Sequence, residues 1–431
     1  MKAKNELIRK VLTKRIDNDN PQILEDYIAK NGYSALKKAV SMPQIKIIEE
    51  VKASGLKGRG GAGFPTGLKM EAVLKAQGAP KYIICNADEG EPGNFKDRYL
   101  MENDPHLLIE GLIICALAVG AEHGYIFIRG EYQKSIEIIR NALEKARKNG
   151  YLGDNILDAG FNFDLEIYTG AGSYVCGEEF ALMVCIEGKP GRATYKPPFP
   201  TSEGLFNKPT QINNVETFAN IPIIIQDGGE AFNKIGTEVS KGTKLVCLSG
   251  NINSPGLYEV PFGITLRDVI ETLGDGVPNN RKIKMVQLGG ASGPCIPESM
   301  LDIKLDYKEM TDNDLTFGSG AIIVMDDRID ILDILKRTLT FFRHESCGKC
   351  TPCREGIGHL FILLQRFIDK TASNDDLKLV EILLETINQT SICGLGQLAP
   401  TSMKSVLKYF REEFTSRIDK SYVKQAFAGG N

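Results

Sequence analysis

The sequence predicts an α/β protein built in three parts behind an N-terminal helical segment, and three observations carry that reading. Apolar runs of strand character alternate with helical periodicities out to about residue 235, as in α/β layer folds. From about Lys241 the texture shifts to short strands around a Pro-Gly turn, and from Ile329 onward only helical periodicity remains. The expected divisions are residues 1–52, 53–238, 239–328 and 329–431. A chain of 431 residues is long enough to bury several cores.

Each element follows from local pattern. "PQILEDYIAK" and "PQIKIIEEVKAS" carry apolar residues at helical spacing. A glycine-rich stretch, "GLKGRGGAGFPTG", runs from Gly55 to Gly67, and a short helix is expected from Thr66 to Lys75. "KYIICNADEG" reads as a buried strand feeding an acidic loop. "DPHLLIEGLIICALAVG" reads as a buried helix, "YIFIRG" as a strand, and "QKSIEIIRNALEKARKNG" as an amphipathic helix closed by Gly150. "FDLEIYTG" alternates like a strand and opens into a second glycine loop, "GAGSYVCGEE". In the next part, "TKLVCLSGNINSPGLYEVPFG" gives two strands across a turn, "TLRDVIETLG" a helix and "KIKMVQLGG" a strand. "ILDILKRTLTFF", "HLFILLQRFI", "LKLVEILLETI" and "SVLKYFREEF" supply the helices of a bundle.

Composition narrows the class. Hydrophobic residues make up 42% and charged residues 25%, with a net charge of −3, so nothing calls for nucleic acid or an anionic membrane as partner. No apolar run reaches the roughly 18 residues a membrane helix needs, and none resembles a secretory signal, so a cytoplasmic location without membrane insertion is expected. The ten cysteines are therefore expected to be reduced. Cys85, Cys115, Cys176, Cys185, Cys247 and Cys295 stand singly, mostly among apolar neighbours, and read as small buried hydrophobes.

The remaining four read as metal ligands. "HESCGKCTPCREG" sets Cys347, Cys350 and Cys353 at C-x2-C-x2-C spacing, which turns three thiolates toward one point, and "TSICGLGQLAP" offers Cys393 as a fourth. Three evenly spaced cysteines with a distant fourth favour a [4Fe–4S] cubane; zinc, with His344 as an alternative ligand, is the competitor. The first glycine loop satisfies the dinucleotide fingerprint by letter, from Gly58 to Gly63. That fingerprint needs a strand before it and a helix opening at its last glycine, whereas here a helical pattern precedes it and Phe-Pro-Thr-Gly follows. Bare backbone flanked by Arg59 and Lys69 is better read as the floor of a pocket for a flat or phosphorylated ligand.

Together "GLKGRGGAGFPTGLK", "NADEGEPGNFKDR", "GAGSYVCGEE", "KPPFP", "INNVET", "ESCGKCTPCREG" and "SICGLG" resemble the NADH-binding flavoprotein subunit of respiratory complex I. The same family serves NAD-linked hydrogenases and formate dehydrogenases. The resemblance implies a non-Rossmann α/β domain for FMN and NADH, a ubiquitin-like β-grasp (SLBB) domain and a helical bundle carrying a [4Fe–4S] cluster. It implies FMN on Gly58, Arg59, Gly60 and Lys69, with Asn86, Asp88 and Glu89 at its ring and ribityl chain, and Asn213, Asn214 and Thr217 at its phosphate. Tyr174, Gly177 and Glu178 would close the flavin pocket. Glu91 and Glu179 would stand near nicotinamide and ribose, and Gly61 would leave room beside the dinucleotide. Phe64 and Phe199 would sandwich adenine, with Lys196 near the phosphates or ribose. The implied activity is hydride exchange between NAD(H) and FMN. Electrons would then pass to a small thioredoxin-like [2Fe–2S] subunit and a larger Fe–S or hydrogenase subunit. Two departures stand out: Met70 and Ala72 occupy places where relatives carry aromatics, and Gly90 replaces the serine of many respiratory members. Gly90 and a Lys/Ile/Asn-rich composition lean toward the hydrogenase side. The entry subunit of a quinone reductase is the alternative, and Met70 and Ala72 leave a non-catalytic Fe–S scaffold as a third reading.

Overall fold

The computed structural model describes residues 4–16 and 20–419, so the outer ends of the first and last expected divisions lie outside the described residues. Two sheets organise it. The first holds β1 (Tyr82–Ala87), β2 (His123–Arg129), β3 (Asp164–Gly170) and β4 (Thr210–Asn214). All pairings are parallel, in the order β3-β2-β1-β4. The second contains β5 (Thr243–Gly250), β6 (Gly256–Pro261), β7 (Ile283–Leu288), β8 (Cys295–Ile296) and β9 (Ala321–Asp326), in the mixed order β6-β5-β9-β7-β8.

Parallel strands need crossovers, and the helices between them cover the first sheet. Helix Pro105–Val119 is buried at every residue except Leu117. Its one carboxylate, Glu110, breaks the apolar run for a reason. It accepts hydrogen bonds from Tyr27 Oη (2.5 Å) and from the backbone N–H of Tyr33 (3.0 Å) and Leu36 (2.9 Å), tying the N-terminal helices to the core. Glu259 on β6 does the same for the preceding segment, accepting from the N–H groups of Val11, Leu12 and Thr13. Buried carboxylates persist only when so bonded.

Helices Gln44–Ser54, Thr66–Lys75 and Gln133–Lys148 form where the periodicity puts them. The stretch read as a helix at 265–274 is a wide-pitched π turn, Asp268–Leu273. Strands β4 and β9 were not anticipated. The C-terminal bundle packs Ile331–Glu345, Thr351–Ile368, Asn374–Thr390 and Thr401–Tyr409 around Leu335, Phe342, Leu360, Leu364 and Leu384. No described helix is long and apolar enough to cross a membrane.

Candidate cofactor cleft and cysteine site

The first glycine loop sits between helices Gln44–Ser54 and Thr66–Lys75, so its context is helix–loop–helix and the dinucleotide fingerprint is a coincidence of letters. Two backbone hydrogen bonds pin it, Gly58 N–H to Phe64 C=O (2.8 Å) and Thr66 N–H to Leu56 C=O (2.9 Å). Gly63 has φ +65°, and a Cβ there would lie 2.5 Å from the Tyr307 ring, so no larger residue fits.

Gly60 and Ala62 of this loop line a cleft of ≈ 320 Å³ at the carboxyl ends of β1 and β4. That is where strand order reverses in the parallel sheet, the usual place for a ligand in such folds. The other walls come from distant segments: Asn86 near the end of β1 with Asp88, Glu89, Glu91 and Asn94 after it, Tyr174, Gly177 and Glu178 after β3, Asn214 at the end of β4, and Ser319 before β9. Gly394, Leu395 and Leu398 of the bundle complete it.

The expected site residues fall into four groups. Asn86 donates to Gly177 C=O (2.8 Å), joining the β1 and β3 loops. Burial pushes the Asp88 carboxyl up to about 7, and its Oδ2 and the Oδ1 of Asn94 are buried acceptors with no protein partner. Glu91 accepts from Tyr174 Oη (2.7 Å) and from Ser292 N–H (3.0 Å) and Oγ (2.8 Å), while burial raises its pKa.

A second group forms an ion cluster at the rim. Lys196 Nζ lies 2.5 Å from Glu179 and 3.2 Å from Glu178, and Lys69 Nζ is 4.0 Å from Glu179 while donating to Ile212 C=O. Glu178 also caps helix Glu179–Ile186, accepting from the N–H groups of Phe180 and Ala181. A third group is buried. The Arg59 guanidinium is fully buried and donates to the carbonyls of Thr243, Lys57 and Lys241. It therefore clamps the glycine loop to the start of the second sheet, and its backbone N–H donates to Thr217 Oγ1. The Glu89 carboxylate caps helix Lys96–Asn103 through the N–H groups of Asp97 and Arg98, and burial pushes its pKa up. Asn213 is buried beside the cleft wall with its Nδ2 unpartnered.

A fourth group is exposed. Phe64 and Phe199 are each 54% exposed, and the short helix that Phe199 opens packs on helix Thr66–Lys75, which bears exposed Leu68. Met70 on that helix is wholly buried, so it belongs to the core and not to this surface. Gly61, at φ +129°, faces Gly318 and Ser319.

Sequence reasoning missed a buried charge network behind the cleft. Lys96 is fully buried; its Nζ lies 2.6 Å from Asp97, 3.1 Å from Glu216 and 2.9 Å from Asn214 Oδ1. Glu216 also pairs with buried Lys244 from β5 and accepts from Leu245 N–H. Asp97 in turn accepts from Asn214 Nδ2 (2.6 Å). Lysines carry no sequence signal of burial, which explains the omission.

The four cysteines gather at the bundle end of the cleft. Cys350 and Cys393 stand at helix N-termini, and Cys353 lies in the first turn behind Cys350. Burial raises the Cys353 thiol, and so do Cys350, Cys393 and Cys347, which all lie within electrostatic reach of it. No three described His, Cys, Asp or Glu side chains converge tightly enough for a single metal ion. His344, the alternative zinc ligand, is exposed at the end of its helix. A Cβ at Gly396 would lie 3.0 Å from Cys353 Cβ and 2.6 Å from Ser391, so the two cysteine loops touch across a glycine. Two of the cysteines expected to stand alone do not. Cys176 and Cys185 bring their sulfurs within 3.4 Å.

These residues fit a flavin and an iron–sulfur cluster. Asp88 Oδ2 and Asn94 Oδ1 are bare acceptors that match the N–H and hydroxyl donors of a flavin ring and ribityl chain. The four thiols match the Cys₄ donor set of a cubane.

Comparison with known proteins agrees. The Nuo51 FMN-binding domain matches residues 51–223, an SLBB domain residues 245–295, and the NADH-ubiquinone oxidoreductase-F iron-sulfur binding region residues 333–417. An NADH-quinone oxidoreductase subunit of Rhizobium meliloti (strain 1021) is 47% identical over 411 residues, spanning 95% of this chain and 98% of its own. The NADP-reducing hydrogenase subunit HndC of Solidesulfovibrio fructosivorans is 44% identical, spanning 95% of this chain and 84% of its own. An NAD⁺-reducing [NiFe]-hydrogenase solved in the H2-reduced state superposes with a TM-score of 0.84 at 33% identity, over 96% of this chain and 67% of that one. With its FMN-binding, SLBB and iron–sulfur regions matched in turn along the chain and 47% identity to one member, this chain belongs to the family of FMN-binding, iron–sulfur oxidoreductase subunits of the NADH-quinone oxidoreductases.

Proposed function

We propose that this chain is the NAD(H)-reacting subunit of a soluble hydrogenase-type complex. It exchanges hydride between NAD(H) and FMN in the cleft and passes single electrons through a [4Fe–4S] cluster on Cys347, Cys350, Cys353 and Cys393. The carrying observation is continuity: one cleft has Asn86, Asp88 and Glu91 on one wall and Gly394 and Leu395, next in sequence to Cys393, on another. When bound, FMN supplies the conversion between a two-electron hydride and one-electron steps.

The chain's own residues do the rest. Gly60 and Gly177 give a floor without side chains, and Asp88 and Asn94 offer acceptors to the ring and ribityl groups. Glu91, fixed by Tyr174 and Ser292, presents a held carboxyl at the nicotinamide end. Lys196, held by Glu178 and Glu179, stands where a dinucleotide's phosphates or ribose would meet it, and Phe64 and Phe199 offer exposed rings to adenine. Gly90 supports the hydrogenase side: a Cβ there would lie 3.0 Å from the Tyr174 ring, so the serine of many respiratory members would push on that wall. The 47% identity to a quinone-reductase subunit favours the second reading, an entry subunit of respiratory NADH–quinone oxidoreductase. Partners of the thioredoxin-like [2Fe–2S] kind and a larger Fe–S subunit belong to both.

The test is mass-spectrometric identification of the chains that copurify anaerobically from native cells, with FMN, iron and sulfide assayed on the same sample. A hydrogenase catalytic subunit supports the proposal. Membrane subunits of a quinone reductase refute it in favour of the second reading, and a chain without FMN refutes both.

A further inference from the structure

Cys176 and Cys185 flank helix Glu179–Ile186, one before its N-terminus and one near its C-terminal end, with their sulfurs 3.4 Å apart. Cys176 sits between Val175 and Gly177, both of which line the cleft. The surroundings keep the pair free to react. A Cβ at Gly191 would meet Cys185 Sγ at 2.7 Å and Cys176 Sγ at 2.9 Å, so the covering loop passes the sulfurs with no side chain between. Cys176 is 6% exposed, whereas Cys185 is partly open to solvent. Burial and the neighbouring Cys185 raise the Cys176 thiol. Neither residue belongs to the cysteine set of the bundle.

We propose that Cys176 and Cys185 form a reversible dithiol–disulfide site that closes on exposure to peroxide and slows turnover in the adjoining cleft. In the first step the Cys185 thiolate attacks one oxygen of hydrogen peroxide. The O–O bond breaks, Cys185 becomes a sulfenic acid, and the departing hydroxide takes a proton to leave as water. In the second, the Cys176 sulfur attacks the sulfenic sulfur, the S–O bond breaks, and a second water leaves with the Cys176 proton. Two thiols are oxidised and one peroxide is reduced to two waters. A disulfide requires about 2.05 Å between sulfurs, so the pair must close by roughly 1.4 Å from its 3.4 Å separation. That movement pulls on the Tyr174–Gly177 turn, which carries the Tyr174 hydroxyl bonded to Glu91 and the Gly177 carbonyl bonded to Asn86. In a reducing compartment a disulfide of this kind is expected to be transient and sensing rather than structural.

The experiment uses the complete FMN- and cluster-loaded protein isolated without oxygen, parent and Cys185→Ser. Each is exposed to a small molar excess of hydrogen peroxide, alkylated under denaturing conditions and digested, and NADH oxidation with ferricyanide is followed in parallel. In the parent, both thiols should be lost together as one cross-linked peptide lighter by two hydrogens. NADH oxidation should fall several-fold and return with dithiothreitol. Cys185→Ser should keep Cys176 alkylatable and keep its rate. Free, alkylatable Cys176 and Cys185 in peroxide-treated parent would overturn the proposal, as would a disulfide that leaves the rate unchanged or an equal rate loss in Cys185→Ser. The functional reading on which the rate arm rests fails separately, through absent NADH oxidation before any peroxide is added.

Discussion

Glu216→Gln tests the charge network that holds the cleft's back wall. Glu216 is completely buried and lies between two buried ammonium groups, Lys96 at 3.1 Å and Lys244, with Leu245 N–H as a further donor at 2.9 Å. At an effective dielectric of about 20, a pair at 3.1 Å interacts by roughly 5 kcal/mol before the desolvation already spent on both partners. Neutralising the carboxylate leaves Lys96 sharing Asp97 and leaves Lys244 with no carboxylate partner among the described residues. Breaking a buried pair from one side costs about 3–5 kcal/mol, a large part of the ~5–15 kcal/mol that stabilises a domain. The chain has no tryptophan, so urea unfolding is best followed by circular dichroism. A double-mutant cycle with Lys244→Met should give a coupling of about 2 kcal/mol or more, since the second substitution removes the charge that the first one orphaned. A loss below about 1 kcal/mol for Glu216→Gln, or a coupling near zero, would show that water or backbone carbonyls satisfy these lysines and that the network is not what joins the two sheets.

Two further outcomes follow from the site. Gly396→Ala places a methyl 3.0 Å from Cys353 Cβ and 2.6 Å from Ser391, so it should lower iron per chain, whereas Gly394→Ala meets nothing within 4 Å and should not; equal iron contents in the two variants would contradict the close-approach argument. Burial raises Asp88 from its ordinary 3.8 to about 7, so the folded, cofactor-free chain holds a proton there that the unfolded chain releases, and stability drains away as pH climbs from about 4 to 7. Asp88→Asn removes that loss, so its melting temperature relative to the parent should rise between pH 5 and pH 8 in calorimetry, and a constant difference across that range would refute the assignment.

Local pattern in the sequence determined most of the elements and the cysteine set, because helix period, strand run and C-x2-C spacing are written within a few residues of each other. It also exposed the false dinucleotide fingerprint, since the helices on either side of the loop are legible locally. Strand β4 was not legible: "TQINN" is short and polar, and it becomes a strand only by pairing with β1. Strand β9 had its signal in the apolar run "AIIVMD", which the strong helical pattern that follows it obscures. The cleft residues came from the family resemblance, and only the tertiary structure gave their side chains directions. It turned the Arg59 guanidinium into a clamp between the glycine loop and the second sheet, spent the Glu89 carboxylate on a helix cap, and brought Cys176 against Cys185. It also buried Lys96 and Lys244, which composition alone would put in water. The physical reason is common to all of these. Where a long polar side chain ends up depends on which partner carbonyl, carboxylate or thiol another segment delivers to it, and that delivery is set by the packing of elements far apart in the chain.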